Sequence, residues 1–174
     1  MTAEVAAHRD VEARAAGEAM AAIYRAAVPA MRDLPVFNPA LDVAAVGFRA
    51  LDDHAFGVIV TPWFMNLVRL PLDPTTAGRS QGEVVTRLLP VGALEFTVGH
   101  LDGIGGIESC SLFSPMFDFA DQSAAEVAAE AALAAVLEPE QVADETSPSQ
   151  ALSKMATTLD RRGLLRGAWM ERRP

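Results

Sequence analysis

Cysteine is nearly absent: Cys110 is the only one in 174 residues. The chain therefore forms no intramolecular disulfide, and a cysteine-rich zinc or iron–sulfur site cannot be built from it. A lone cysteine suits a reducing compartment. Long apolar runs are missing too. No stretch of about 20 apolar residues occurs, so no membrane insertion is expected. Met1–Arg14 is acidic and Ala-rich, without a basic start followed by an apolar run, and is not expected to be a secretory signal. Positive charge is scarce. Fourteen Lys/Arg face 23 Asp/Glu, a net charge of −9, which argues against nucleic acid as a partner. These absences point to a cytoplasmic protein.

The charge is also unevenly placed. Residues 1–150 hold 8 Lys/Arg against 21 Asp/Glu, a net of −13, whereas residues 151–174 hold 6 against 2, a net of +4. An acidic body with a basic tail implies a basic partner or a tail that folds back. The plain alternative is acidic surface that maintains solubility. With 51% hydrophobic and 21% charged residues, the chain is too apolar to be disordered, and its length fits one domain.

Periodicity predicts an α+β fold. A helix is expected over Asp10–Arg32, with Met20, Ile23, Tyr24, Ala27, Val28 and Met31 on one stripe and Pro29 ending or kinking it. A loop with Pro35, Asn38 and Pro39 follows. Six strands are expected at Val43–Ala50, Phe56–Thr61, Phe64–Leu70, Glu83–Leu89, Ala93–Gly99 and Gly106–Phe113. Their mostly short, Asp-, Gly- and Pro-rich connections imply antiparallel pairing. Pro71–Gly82 is the longer exception, able to cover an edge or a groove. A second helix is expected over Ser123–Leu137, opened by a Ser123–Glu126 capping box, with Ala129, Leu133, Val136 and Leu137 on its apolar face. The architecture is an antiparallel sheet of about six strands flanked by the two helices. Residues 1–137 form the α+β domain, 138–150 an acidic linker, and 151–174 a flexible basic tail.

Catalytic signals are weak. His8, His54 and His100 form no paired spacing with one another or with Cys110, so no metal site and no cofactor are expected. Gly103, Gly105 and Gly106 precede a strand rather than a helix, which suits a hairpin better than a phosphate site. No Gly-x-Ser-x-Gly elbow is present. Alternation places Cys110 with Leu112 on the core face, the position of a small buried apolar side chain. A thiol-dependent redox or metal-handling protein using Cys110 remains the alternative function. Glu95 and Glu108, on neighbouring predicted strands, suggest an acidic patch.

Two apolar clusters stand out. Pro62-Trp63-Phe64-Met65-Asn66 bridges two strands, where turns ordinarily hold small polar residues. Phe113-Ser114-Pro115-Met116-Phe117-Asp118-Phe119 leaves the last strand. Aromatic residues and Met serve adaptable protein-binding surfaces, and they equally serve to plug the open end of a sheet. Both readings stand at this level. The contact candidates are Trp63, Phe64, Met65, Asn66, Phe113, Ser114, Pro115 and Met116, with Glu95 and Glu108 for acidic steering.

These clusters also carry a resemblance. Val60-Thr-Pro-Trp-Phe-Met-Asn-Leu67, Gly99-His-Leu-Asp-Gly103, Ser109-Cys-Ser-Leu-Phe-Ser-Pro-Met116 and the Asn38-Pro39 loop followed by Val46-Gly-Phe48 resemble the HybE/HupJ family of NiFe-hydrogenase assembly chaperones. The similarity covers roughly residues 20–170. It implies a non-enzymatic cytoplasmic accessory protein that binds the hydrogenase small-subunit precursor, which bears a twin-arginine signal peptide, and/or the large subunit until assembly is complete. Some members carry a rubredoxin module. This chain has no Cys-x-x-Cys pair, so iron binding is not carried over. Within the tail, Arg161-Arg162-Gly163-Leu164-Leu165-Arg166 is similar to the core of a twin-arginine motif. Two readings follow: the segment is an ordinary basic amphipathic tail, or Arg161, Arg162, Leu164 and Leu165 mimic the client and occupy its groove when the client is absent.

Overall fold

The computed structural model describes residues 3–73 and 79–138. The linker and tail expectations, including Arg161, Arg162, Leu164 and Leu165, lie outside the described residues. The element order is α1 (Ala3–Met31), β1 (Ala44–Leu51), β2 (His54–Val60), β3 (Met65–Pro71), β4 (Val84–Leu89), β5 (Gly92–Leu101), β6 (Gly105–Phe113) and α2 (Gln122–Leu137). This is the α+β architecture the periodicity predicts. The strands form one antiparallel sheet in the order β1-β2-β3-β6-β5-β4. Two three-stranded meanders are thus joined through β3 and β6, with Leu67 opposite Cys110 and Arg69 opposite Glu108.

The helices cover opposite faces. Helix α1 buries Ala13, Gly17, Met20 and Ala21, with Tyr24 and Val28 partly buried, at spacings of three and four. That stripe packs on Phe48, Ala55, Ile59, Val68, Leu70 and Ile107. It extends further towards the N-terminus than the apolar periodicity predicts, because alanine and glycine carry its first half. Pro29 falls inside the last turn, and the helix ends two residues later. Helix α2 packs on the other face against Val46, Phe56, Val58, Leu67, Phe96, Val98 and Leu112. The β4–β5 hairpin joins that core through Val85, Leu89 and Phe96, and Phe96 meets Phe56 edge-on at 6.5 Å.

Two local details correct the sequence reading. The N-cap of α2 is Asp121, in extended conformation, whose Oδ1 accepts from the Ala124 N–H at 2.8 Å. Ser123 therefore lies inside the helix, and Glu126 accepts from Gln122 Nε2 instead of closing a capping box. A carboxylate two residues earlier satisfies the first turn before Ser123 is reached. Glu95 and Glu108 also fall on opposite faces. Glu108 pairs with Val98, three residues from Glu95, and strands alternate with a period of two.

Phe48 locks α1 to the sheet. Its ring lies between two glycines: a Cβ placed on Gly17 of α1 would stand 2.5 Å from it, and one on Gly57 of β2 2.4 Å. Either glycine changed to Ala forces the ring off its seat, at a cost of about 1–3 kcal/mol for overpacking. The expected outcome is a lower urea midpoint for Gly17→Ala, partly restored in Gly17→Ala/Phe48→Leu. An additive double mutant contradicts this packing.

Candidate partner-binding site

One end of the sheet collects three connections: residues 32–43 after α1, 61–64 between β2 and β3, and 114–121 between β6 and α2. Thr61 builds the shortest. Fully buried, its Oγ1 donates to the Phe64 carbonyl at 2.9 Å and accepts from the N–H groups of Trp63 and Phe64 at 3.2 and 2.9 Å. This tight turn projects Trp63 into an aromatic group. Trp63 stacks on Phe37 at 6.2 Å and meets Tyr24 and Phe64 edge-on at 6.4 and 6.0 Å. Burial among these rings pushes the Tyr24 hydroxyl pKa above its ordinary value.

Asn38 ties the other two connections together. Its backbone N–H donates to the Pro62 carbonyl at 2.8 Å. Its side-chain Nδ2 donates to the carbonyls of Met116 and Phe119, each at 2.9 Å, and Oδ1 accepts from the Ala40 N–H at 3.0 Å. A single buried amide therefore holds 114–121, which passes through a cis Ser114–Pro115 bond, against the loop after α1.

The sequence candidates divide on exposure. Trp63 is 8% exposed, and Met65 and Met116 are fully buried, so these three are core. Phe64 and Asn66 are half-buried on the α1 face, and the Asn66 Oδ1 is buried without a partner among the described residues. Phe113 is half-buried edge-on against Phe119 at 4.9 Å, while Ser114, Pro115 and Glu95 are exposed. The exposed large apolar side chains at this end are ones the sequence reading did not choose: Phe117 at 55%, Leu34 at 45% and Val36 at 40%. Alternation does not extend into loops, so periodicity could not separate Met116 from Phe117. The two longer loops also carry Asp33, Asp42, Asp118 and Asp121 against Arg32.

Glu108 has a different role from the steering expected of it. It is held by Arg69 on β3 at 3.1 Å and by Arg87 on β4, and only 12% of its side chain is accessible. Burial raises its carboxyl pKa, but the hydrogen bonds and charges of Arg87 and Arg69 outweigh that and hold it below the ordinary value. Beside it, burial and then Arg69 lower the His54 pKa, and the His54 Nδ1 is buried without a partner among the described residues. Cys110 is half-buried beside Leu112 on the α2 face. Burial, followed by the charge of Glu95, pushes its thiol pKa up, away from the thiolate that nucleophiles and metal ligands need. Among the described residues no group of three or more His, Cys, Asp or Glu is placed to hold a metal, and no helix is long and apolar enough to cross a membrane.

Two outcomes test this division. Asn38→Ala leaves one buried and one part-buried carbonyl without their donor and should cost about 2–3 kcal/mol, whereas Phe117→Ser should change stability by less than about 0.5 kcal/mol; urea unfolding measures both. For Glu108, a depressed folded pKa gives stability that is present above the ordinary carboxylate range and is lost as pH falls through the folded value. Glu108→Gln should therefore destabilise at neutral pH, with a deficit that shrinks on acidification. A pH-independent deficit would show that the ion pairs are not its source.

Comparison with known proteins places this geometry. Residues 15–167 match the family model described as NiFe-hydrogenase assembly chaperone HybE. The hydrogenase expression/formation protein HupJ of Bradyrhizobium diazoefficiens is 47% identical over 165 residues, covering 94% of this chain and 95% of that protein. The probable rubredoxin HupJ of Rhodobacter capsulatus is 41% identical over 93 residues, 53% of this chain but 34% of that longer protein. The solution structure of HybE from Escherichia coli superimposes with a TM-score of 0.53 at 29% identity, covering 65% of this chain and 70% of that one. The chain belongs to the HybE family of NiFe-hydrogenase assembly chaperones.

Proposed function

We propose that this protein binds hydrogenase subunits in the cytoplasm and catalyses nothing itself. The loop end of the sheet is the contact. The client is the small-subunit precursor, held through its twin-arginine signal peptide or the part that follows, and/or the large subunit until assembly is complete. The observation that carries this reading is the pairing of a rigid base with an exposed apolar rim. Thr61, Trp63 and Asn38 are buried and fully engaged, while Leu34, Val36 and Phe117 stand exposed on the loops they fix. Apolar anchors on a pre-ordered scaffold lose little entropy on binding. The surrounding aspartates favour a client segment that is basic and then apolar, which is the character of a twin-arginine signal peptide.

Asp33 and Asp118 take over the steering first assigned to Glu108, whose charge is already neutralised by two arginines. A thiol-based function for Cys110 finds no support in its half-buried position and raised pKa.

The direct test is titration of the purified chaperone with small-subunit precursor, with and without its signal peptide. Leu34→Ser and Phe117→Ser should each weaken binding by about tenfold or more at unchanged melting temperature, and Cys110→Ser should leave affinity unchanged. Full affinity in the Leu34→Ser/Phe117→Ser double variant would move the contact elsewhere. Loss of affinity in Cys110→Ser at unchanged stability would favour the thiol reading.

A further inference from the structure

The two edges of the sheet differ. Along β1, side chains of α1 occupy backbone groups: Asp10 Oδ1 accepts from the Ala50 N–H at 2.8 Å, and Arg25 Nε donates to the Val43 carbonyl at 3.3 Å. Gly47, at φ +63°, lies in a bulge that breaks the pairing register between Val46 and Arg49. Such devices stop another strand from adding.

The β4 edge has none of them. The Gly82 N–H donates to the Val98 carbonyl and the Val98 N–H to the Glu83 carbonyl, each at 2.8 Å. Alternation from that point turns the backbone of Val85, Arg87 and Leu89 towards β5 and that of Val84, Thr86 and Leu88 outward. No hydrogen bond among the described residues reaches those three outward groups. Their side chains are exposed on the α1 face, Leu88 at 87% and Val84 at 60%. The one charge in the strand, Arg87, is turned to the other face and held by Glu108. No proline interrupts β4.

This edge is complementary to itself. A contact across a two-fold axis needs that property, since the same patch serves both partners. The outward groups sit symmetrically about Thr86, with Val84 two residues before it and Leu88 two after. We propose that β4 joins two copies of this chain, the strands pairing antiparallel across a two-fold axis at Thr86. Thr86 faces its own counterpart, and Val84 lies opposite Leu88 of the second copy. Each of these outward positions then exchanges both backbone bonds, and each Val84 packs on a leucine.

The alternatives to this register fail on particular residues. Sliding the copies by two residues one way sets Arg87 directly against Arg87 and Val84 against Pro90, which has no N–H to give. Sliding them the other way sets Leu88 against Gly82, whose N–H already serves the Val98 carbonyl. Charge permits the central register. On the α2 face it places Arg87 opposite Val85, and Arg87 stays with Glu108. On the α1 face the nearest charge is the exposed Glu95, the β5 partner of Thr86. Three strand spacings, roughly 14 Å, separate the two copies of Glu95, further than the screening length of about 8 Å at physiological salt. A paired edge is a small interface, so monomer and dimer exchange in a concentration-dependent equilibrium. The proposal stands apart from the client contact at the loop end.

Sedimentation equilibrium of the full-length chain tests it. The weight-average mass should rise with concentration from 18.5 kDa towards twice that value. Thr86→Pro should raise the dissociation constant about tenfold or more, because it removes the central donor from both strands. The melting temperature of the dilute protein should not change, since an edge strand accepts proline where its N–H points outward. Cross-linking in a Cys110→Ser background reads the register. Thr86→Cys should form a disulfide between chains, as directly opposed residues lie within bonding distance. Leu88→Cys is more exposed, yet should link to Val84→Cys in a mixture and not to itself. A monomer at every concentration, a dimer that persists in Thr86→Pro, or self-linking of Leu88→Cys overturns the proposal. In a monomer, slow exchange of the Val84, Thr86 and Leu88 amides would give the edge to another segment of the same chain.

Discussion

The loop end of this molecule depends on where two carbonyls find their donors. The Met116 and Phe119 carbonyls lie in a connection that belongs to neither sheet nor helix, and one side-chain amide, Asn38 Nδ2, serves both. Because Asn38 also takes the Pro62 carbonyl through its own N–H, the three connections form one body. Buried carbonyls require partners, so the loop after α1 cannot move from 114–121 without exposing both. That constraint holds Leu34 and Phe117 in a fixed relation.

The rest of the design follows from two helices placed back to back across one half of the sheet. Helix α1 covers β1 and β2 on one face, and α2 covers the same strands on the other, while the β4–β5 hairpin closes over the α2 side. Val84, Thr86, Leu88, Glu95 and Thr97, which share the α1-side face, are left exposed. Arg69, Glu108 and Arg87 connect β3 to β4 across β6 and β5, adding a charged tie to the apolar core that Val85, Leu89 and Phe96 share with α2. A buried cluster of this kind resists loss of one member more than it adds net stability. This fits a role in fixing the curl of the sheet.

Strand number, antiparallel order and both helices were legible because their signals are local: alternation, short Gly- and Asp-rich connections, and spacings of three and four. The N-cap was missed because Ser123 and Asp121 offer similar local chemistry, and backbone geometry decides between them. The face of Glu108 relative to Glu95 depends on register between β5 and β6, a non-local quantity that a one-residue slip would reverse. In VTPWFMNL, composition showed that something unusual occurs at the turn, but Trp63 is buried by Phe37 and Tyr24, residues far away in the chain. The proposed contact set was legible only in outline. The run from Phe113 to Phe119 was singled out, yet which of its side chains face water is fixed by Asn38, 78 residues from Met116.

The motifs that carry the family resemblance are mostly the buried parts of the loop end. Thr61, Trp63, Met65, Leu67, Asn38 and Met116 are all buried, and each has a structural task in the turn, the aromatic group or the clamp. Kinship through these residues therefore reports a shared scaffold more than a shared client. Under the proposed function, discrimination between clients falls to side chains that the scaffold presents without needing them for folding, because only those can change at small cost in stability. Leu34, Val36, Asp33, Phe117 and Asp118 meet that condition. Trp63, the residue whose burial the aromatic turn left open, is instead the floor on which they stand.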